Sequence, residues 1–384
     1  MKAQPAVTRR EFLRTTGISG LGLAAAGWSV PAFAARPARA LSSGDRVLVV
    51  IQLSGGNDGL NTLVPFADGA YYSARPVIAI QPRHVLKLGA GRYQDCLGFH
   101  PGLRPLMELW ESGRMAVING VGYPNSNRSH FRSLEVWHTA TESHGVEDGG
   151  WIGRSFDSSR PALAVSVGWE APPALKGPGI AGVHLREPSA VIHAEDNAGE
   201  VAQAALEKSR VLLQRAGRSG AAYPDTRFAA GLKQIAALVD GGLGARVYHH
   251  DITGFDTHAS QPAAHGRLWS EVSGGLRAFF ADLEARGLAG RVVTVGFSEF
   301  GRRVAENGSC GTDHGAAGPM FVWGGPVRGG VYGELPSLTD LDDGDLKCTT
   351  DFRSVYATLL DGWLGADSKA VLGREFSKLP FLAA

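Results

Sequence analysis

The sequence predicts an α/β fold, a mainly parallel sheet sandwiched between helices, with one small inserted cap. Three observations carry that prediction. Apolar, β-branched runs alternate with amphipathic helical patterns along the chain. The first run, RVLVVIQL at 46–53, is continuous rather than alternating, which marks a strand covered on both faces. The composition is that of an ordinary globular protein, 44% hydrophobic and 20% charged over 384 residues, with neither disorder nor fibrous bias.

The elements follow in order. After 46–53, strand-like runs recur at Met115–Val121, Ala162–Val167, Ala190–His193, Arg246–Asp251, Arg291–Phe297 and Met320–Trp323. Between them lie helical patterns. Leu103–Ser112 places Leu103, Leu106, Met107 and Trp110 on one face, and Ser129–Thr139 carries Phe131, Leu134 and Trp137. Glu200–Gln214 and Phe228–Val239 are amphipathic, Ala263–Arg286 is long, and Asp351–Leu364 closes the chain. Residues 140–190 are richer in Gly, Pro and charge, and read as the insertion or cap. A high glycine count, 52, implies many tight turns and close backbone approaches.

Residues 1–40 read as an address, with 41–384 as the single folded domain. Arg9-Arg10 with Phe12-Leu13 precedes a mild Gly- and Ala-rich stretch, and Ala32-Phe33-Ala34 offers a cleavage site, with Ala38-Arg39-Ala40 as a second. That order of regions is a twin-arginine signal peptide, which implies the twin-arginine translocase as a partner and a periplasmic or otherwise exported location. The first 34 residues hold Lys2, Arg9, Arg10 and Arg14 against Glu11, so cutting there shifts the net charge from +1 to −2. No basic field is left for nucleic acid. Beyond the signal no run approaches the roughly 18 apolar residues of a membrane span. Three cysteines, Cys96, Cys310 and Cys348, allow at most one intramolecular disulfide, and the sequence does not choose the pair.

Polar motifs follow four of the strand runs. They are Ser54-Gly55-Gly56-Asn57-Asp58-Gly59, the segment 123–132 with Arg128, Ser129 and Arg132, Gly254–His258 with His265 beyond, and Ser298–Arg302 followed by Gly311–Gly315. In a parallel sheet the carboxyl ends of the strands share one edge, where ligand sites form, so these segments are expected to meet in one cleft. Asp58 is either a hard ligand or part of a tight turn. Ser129 stands where a helix begins, as a cap or as a group whose alkoxide the helix terminus favours, and Arg128 and Arg132 flank it as anion clamps. Asp256, His258, His265, Asp313 and His314 suit zinc or manganese, with calcium or magnesium as alternatives. Glu299 sits at a buried strand end, either as a ligand or paired with Arg302 or Arg303. His130, His138 and His144 are read as surface or supporting residues. No GxSxG elbow, HExxH helix or GxGxxG turn occurs, so serine hydrolase, zincin and dinucleotide classes lack support.

The motifs LSGGNDGLN at 53–61, YPNSNRSHFRS at 123–133, FDTHASQPAAH at 255–265, FSEFGRRVAENGSCGTDHG at 297–315 and TDFRSVY at 350–356 resemble the exported domain-of-unknown-function family 1501. The resemblance runs from about residue 45 to the C-terminus. It implies membership of the alkaline phosphatase and sulfatase superfamily, α/β hydrolases that transfer phosphoryl or sulfuryl groups with divalent metals. On that likeness Asp58 is the metal-bridging carboxylate and Ser129 the nucleophile. Asp256 with His258 or His265 supplies one metal, and His314 is the last metal histidine. Glu299-Phe300 replaces the superfamily's Asp-His, which removes one nitrogen ligand. The pattern Cys/Ser-x-Pro-x-Arg is missing around Ser129, which speaks against a formylglycine sulfatase. The implied function is an exported metal-dependent hydrolase of phosphate or sulfate esters, its substrate an anionic small molecule or glycan ester. The alternative is a non-catalytic envelope protein that keeps the fold to bind an anionic glycan or a partner protein.

Overall fold

Residues Val47–Ser54 form strand β1 in the middle of a ten-stranded sheet. The computed structural model describes residues 46–89, 91–142, 149–159, 161–186, 191–194, 200–215 and 220–383. The signal segment and His144 lie outside the described residues. The remaining strands of the sheet are β2 (Met115–Gly122), β3 (Ala162–Gly168), β4 (Ile180–Arg186), β5 (Val191–Ala194), β6 (Val247–Thr253), β7 (Val292–Phe297), β8 (Gly318–Gly324), β9 (Gly330–Tyr332) and β10 (Thr350–Asp351). Their order is β9-β2-β8-β7-β1-β6-β3-β4-β5, with β10 also on β2. β1 pairs in parallel with both β6 and β7. β8 runs antiparallel to β7 and to β2, so β2 points the same way as β1. The carboxyl ends of β1, β2, β6 and β7 therefore share one edge, and the loop entering β8 arrives at that edge too.

Side chains of β1 alternate between two cores, which explains its unbroken apolar run. Val47, Val49 and Ile51 face Leu232, Ile235, Trp269 and Phe279, from helices α3 (Arg227–Asp240) and α4 (Gln261–Ala285). Leu48 and Val50 face Trp137, Phe352 and Tyr356, from α1 (His130–Thr139) and α5 (Phe352–Leu359). Each such side chain contributes roughly 1.5–3 kcal/mol of burial, so both layers are anchored. α2 (Glu200–Arg215) lies between β5 and α3 in the chain.

Two expectations are corrected here. Residues 140–190 do not merely cap the sheet, because they supply β3 and β4, which pair in parallel over seven residues. The first of these strands was expected, as the run Ala162–Val167, and the second was not; the crossover between them carries only the short 3-10 turn Pro173–Leu175. The helix expected at Leu103–Ser112 begins as a 3-10 turn, Pro101–Leu106, because Pro105 lies inside it. All three cysteines are free.

Candidate metal centre at the carboxyl edge

Gly55 and Gly56 let the loop after β1 press against its neighbours. Both have positive φ, +122° and +75°, and a Cβ on Gly55 would lie 2.3 Å from the Asp256 nitrogen. The fully buried Arg302 ties the loops together. Its guanidinium donates to the carbonyls of Gly56 at 2.6 Å, Thr312 at 2.7 Å and Phe255 at 3.1 Å, and also to that of Gly55. It then donates to Asp256 Oδ1 at 2.7 Å. Burial pushes the Asp256 carboxyl up, but the hydrogen bonds of Arg302 and His314 and the charge of Arg302 together outweigh it and bring its pKa down to about 2. Asp256 is thus a fixed carboxylate, and its side chain is 47% exposed.

Three imidazoles surround it. His258 Nδ1 lies 2.9 Å and His314 Nε2 3.1 Å from Asp256 Oδ1, while His130 Nε2 lies 3.5 Å from Oδ2. His130, Asp256 and His314 each offer a ligand atom within 4.8 Å of the others. The far nitrogens of two of these rings are held. His130 Nδ1 meets Glu299 Oε1 at 2.7 Å, and His314 Nδ1 meets the Arg128 carbonyl at 2.8 Å. A carbonyl accepts only from N–H, so a neutral His314 carries its lone pair on Nε2, facing Asp256. His130 Nε2 is buried without a hydrogen-bond partner. A carboxylate or carbonyl behind each imidazole is how proteins orient metal-ligating histidines. The Glu299 bond also raises the pKa of His130 against the opposing effect of burial. These residues fit a borderline divalent cation.

Phe300, in place of the histidine the resemblance implies, packs its ring 4.9 Å from His130 and 4.7 Å from His314. It supports the two imidazoles.

Several sequence-derived candidates stand elsewhere. Asp58 is fully buried and pairs with Arg75 at 2.6 Å. Its other contacts are Gln261, which donates to Oδ2, and the Leu60 amide at 3.2 Å, which it caps. Burial raises its pKa, but Arg75, joined by His265 and Gln261, more than offsets this and holds the group below the usual carboxylate range. It closes an internal network and does not join the cluster. His265 is buried with Nε2 3.0 Å from Asn57 Oδ1, and burial lowers its pKa to about 3. Glu299 points at His130 and at the Gly55 amide, 2.9 Å away, as an orienting group. Asp313 is exposed and accepts from Asn307 at 3.1 Å.

Ser129 is exposed at the N-cap position of α1, yet its side chain makes no capping bond. Arg128 is engaged by Asp345 at 2.6 Å and Asp343 at 3.2 Å. Arg132 pairs with Glu135 at 2.6 Å. Both guanidiniums are therefore already matched by carboxylates, and the anion clamp expected of them is not preformed.

Sequence reasoning undervalued His130. The signal was present, because His130 follows the strand-end segment that drew attention to Ser129. Arg75 gave no signal, since nothing local marks an arginine 17 positions away as the partner of Asp58.

The model of the family described as "Protein of unknown function (DUF1501)" matches residues 194–376. No curated protein matches the chain. Among solved structures, the phosphonate monoester hydrolase SpPMH from Silicibacter pomeroyi is similar at 12% identity and a TM-score of 0.38, covering 87% of this chain and 78% of that one. A protein in the alkaline phosphatase superfamily from Vibrio parahaemolyticus has 10% identity and a TM-score of 0.38, covering 86% and 69%. The C-terminal periplasmic domain of EcEptC from Escherichia coli has 9% identity and a TM-score of 0.40, covering 87% and 88%. Among the described residues no helix is long and apolar enough to cross a membrane.

Proposed function

We propose that the protein is an exported metal-dependent hydrolase of phosphate or sulfate esters, its metal held by His130, Asp256 and His314 with His258 alongside. The observation that carries the reading is the pair of histidines whose outer nitrogens are fixed while their inner nitrogens converge on one carboxylate. A divalent cation bound there would supply Lewis-acid polarisation of the ester and favour the ionised form of a nearby hydroxyl. The chain's own residues do the rest. Glu299 and the Arg128 carbonyl hold the imidazoles in register, Phe300 packs beside their rings, and Arg302 fixes Asp256 to the loop after β1. Ser129, exposed and free of capping duty beside His130, is the candidate nucleophile. Its Oγ forms the new bond to phosphorus or sulfur as the ester bond breaks and the alcohol leaves; water then releases the anion.

Metal analysis of the purified mature protein tests this. Stoichiometric zinc or manganese, lost in Asp256→Asn, with turnover of 4-nitrophenyl phosphate or sulfate, is the expected result. A protein that stays metal-free after zinc and manganese loading would sink it. The engagement of Arg128 and Arg132 by carboxylates favours a second reading, a non-catalytic envelope protein that binds an anionic ligand. Metal without turnover on either ester would support that second reading. Export is part of the proposal: replacing Arg9 and Arg10 by Lys should leave precursor in the cytoplasm, and normal periplasmic accumulation would refute it.

A further inference from the structure

Along the face of α1 that carries Phe131, Leu134, Glu135 and His138 lies a cavity of about 370 Å³. It opens towards the carboxyl ends of β1 and β6. The lining carries Gln52, His249 and Asp251 from these strands. Its rim holds Phe131, 90% exposed, and Trp169, 53% exposed. Phe131 follows His130 directly, so the cavity adjoins the metal centre along one helix.

The ionisable carboxylates Glu135, Glu170 and Asp251 line this cavity. Gln52 Nε2 donates to Ser54 at 2.8 Å and its Oε1 meets His138 Nε2 at 2.8 Å. His249 Nε2 has no partner although the residue is only 3% exposed. Burial holds His249 well below its ordinary pKa, so the ring is neutral. Among the described residues the Asp251 and Glu170 carboxylates have no hydrogen bond or ion pair. A Cβ on Gly168 would lie 2.2 Å from Asp251 Oδ1, so the missing side chain is what gives that carboxylate room. No Lys or Arg belongs to the lining. The indole of Trp169 already holds the Arg227 guanidinium at 5.0 Å, outside the cavity. Two unpaired carboxylates, the net negative charge of the lining and the exposed rings of Phe131 and Trp169 together call for a ligand that brings positive charge.

We infer that this cavity takes the alkylammonium end of an amino-alcohol ester whose anionic group sits at the metal centre. The position of the anionic group rests on the function proposed above; the ammonium site does not. The inference is tested by calorimetry of the mature protein with choline and with its uncharged carbon isostere, 3,3-dimethylbutan-1-ol. Choline should bind, and the isostere at least about tenfold more weakly, because it keeps the shape and loses the cation–π and carboxylate contacts. Trp169→Ala, Asp251→Asn and the rim variant Phe131→Ala should each weaken choline severalfold, and Phe131 is too exposed for its loss to unfold the chain. Asp256→Asn, which dismantles the metal centre, should leave choline affinity within about twofold. Choline binding without ester turnover would then remove the hydrolase reading and leave this site standing. Equal binding of choline and isostere, no binding of choline, or choline binding indifferent to all three cavity variants would overturn it.

Discussion

Asp58 and Asp256 both follow apolar strands at the same sheet edge, and both looked like metal ligands. The structure gives them opposite fates. Asp58 is sealed, with each oxygen consumed by Arg75, Gln261 or the Leu60 amide. Asp256 is 47% exposed, with Arg302, His258 and His314 at Oδ1 and only His130, 3.5 Å away, at Oδ2. A carboxylate is available to a cation only if its neighbours leave lone pairs unspent. Motif spacing cannot report that, because the consuming groups come from distant parts of the chain.

The largest expected difference between the two is in stability. Arg75→Met leaves the Asp58 charge buried and unpaired, a class of change that costs about 3–5 kcal/mol. Asp256→Asn should cost within about 1 kcal/mol, because Arg302 keeps four backbone carbonyls and the site is half exposed. Chemical denaturation of both variants checks this. Similar losses would mean that the Asp256 cluster is as structural as the Asp58 network.

Acid should break the closed side first. Burial lowers the pKa of His265 to about 3, and those of His100 and His138 to about 4. The unfolded chain protonates these groups near pH 6.5, where the folded chain does not, so unfolding takes up protons. Stability should therefore fall as pH drops from about 6.5 towards 4, above the range where carboxylates titrate. His265→Gln should flatten part of that slope. A stability curve level down to pH 4.5 would contradict the buried, neutral state of these rings.

Much of the fold was legible because it depends on local pattern. The unbroken run at 46–53, the Phe131, Leu134 and Trp137 spacing, and the 25-residue α4 all carry their periodicity in adjacent residues. β3 was legible as the run Ala162–Val167, whereas β4 was not, because the crossover that leads into it is short and rich in Gly and Pro. The candidate site was legible as a place, since strand ends collect polar residues, but its division of labour was not. Glu299 reads as a ligand until His130 is seen 2.7 Å from it. Phe300 reads as a missing ligand until its ring is found against two imidazoles.

Glu299 offers a way to sharpen the comparison without unfolding anything. Glu299→Gln keeps an oxygen for His130 and removes the charge behind the imidazole. Losing a carboxylate that orients a ligating histidine lowers metal affinity by about 10–100-fold. Zinc competition against a chromogenic chelator should show that drop. An unchanged affinity would place the metal away from His130.

The smallest stability effect belongs to Ser129. At a helix N-cap, Ser→Ala ordinarily costs about 1 kcal/mol, because the hydroxyl satisfies an orphan amide. Here the hydroxyl makes no capping bond; the neighbouring bond runs from the Ser129 amide to Asn127 Oδ1 at 2.8 Å. Ser129→Ala should therefore leave the melting temperature within about a degree. Metal content should also persist, since the residues grouped for the metal are His130, Asp256 and His314. If Ser129 is the nucleophile, ester turnover falls by several orders of magnitude while both of those readings stay put. A lowered melting temperature with full turnover would return Ser129 to a capping role and pass the attack to water at the cluster.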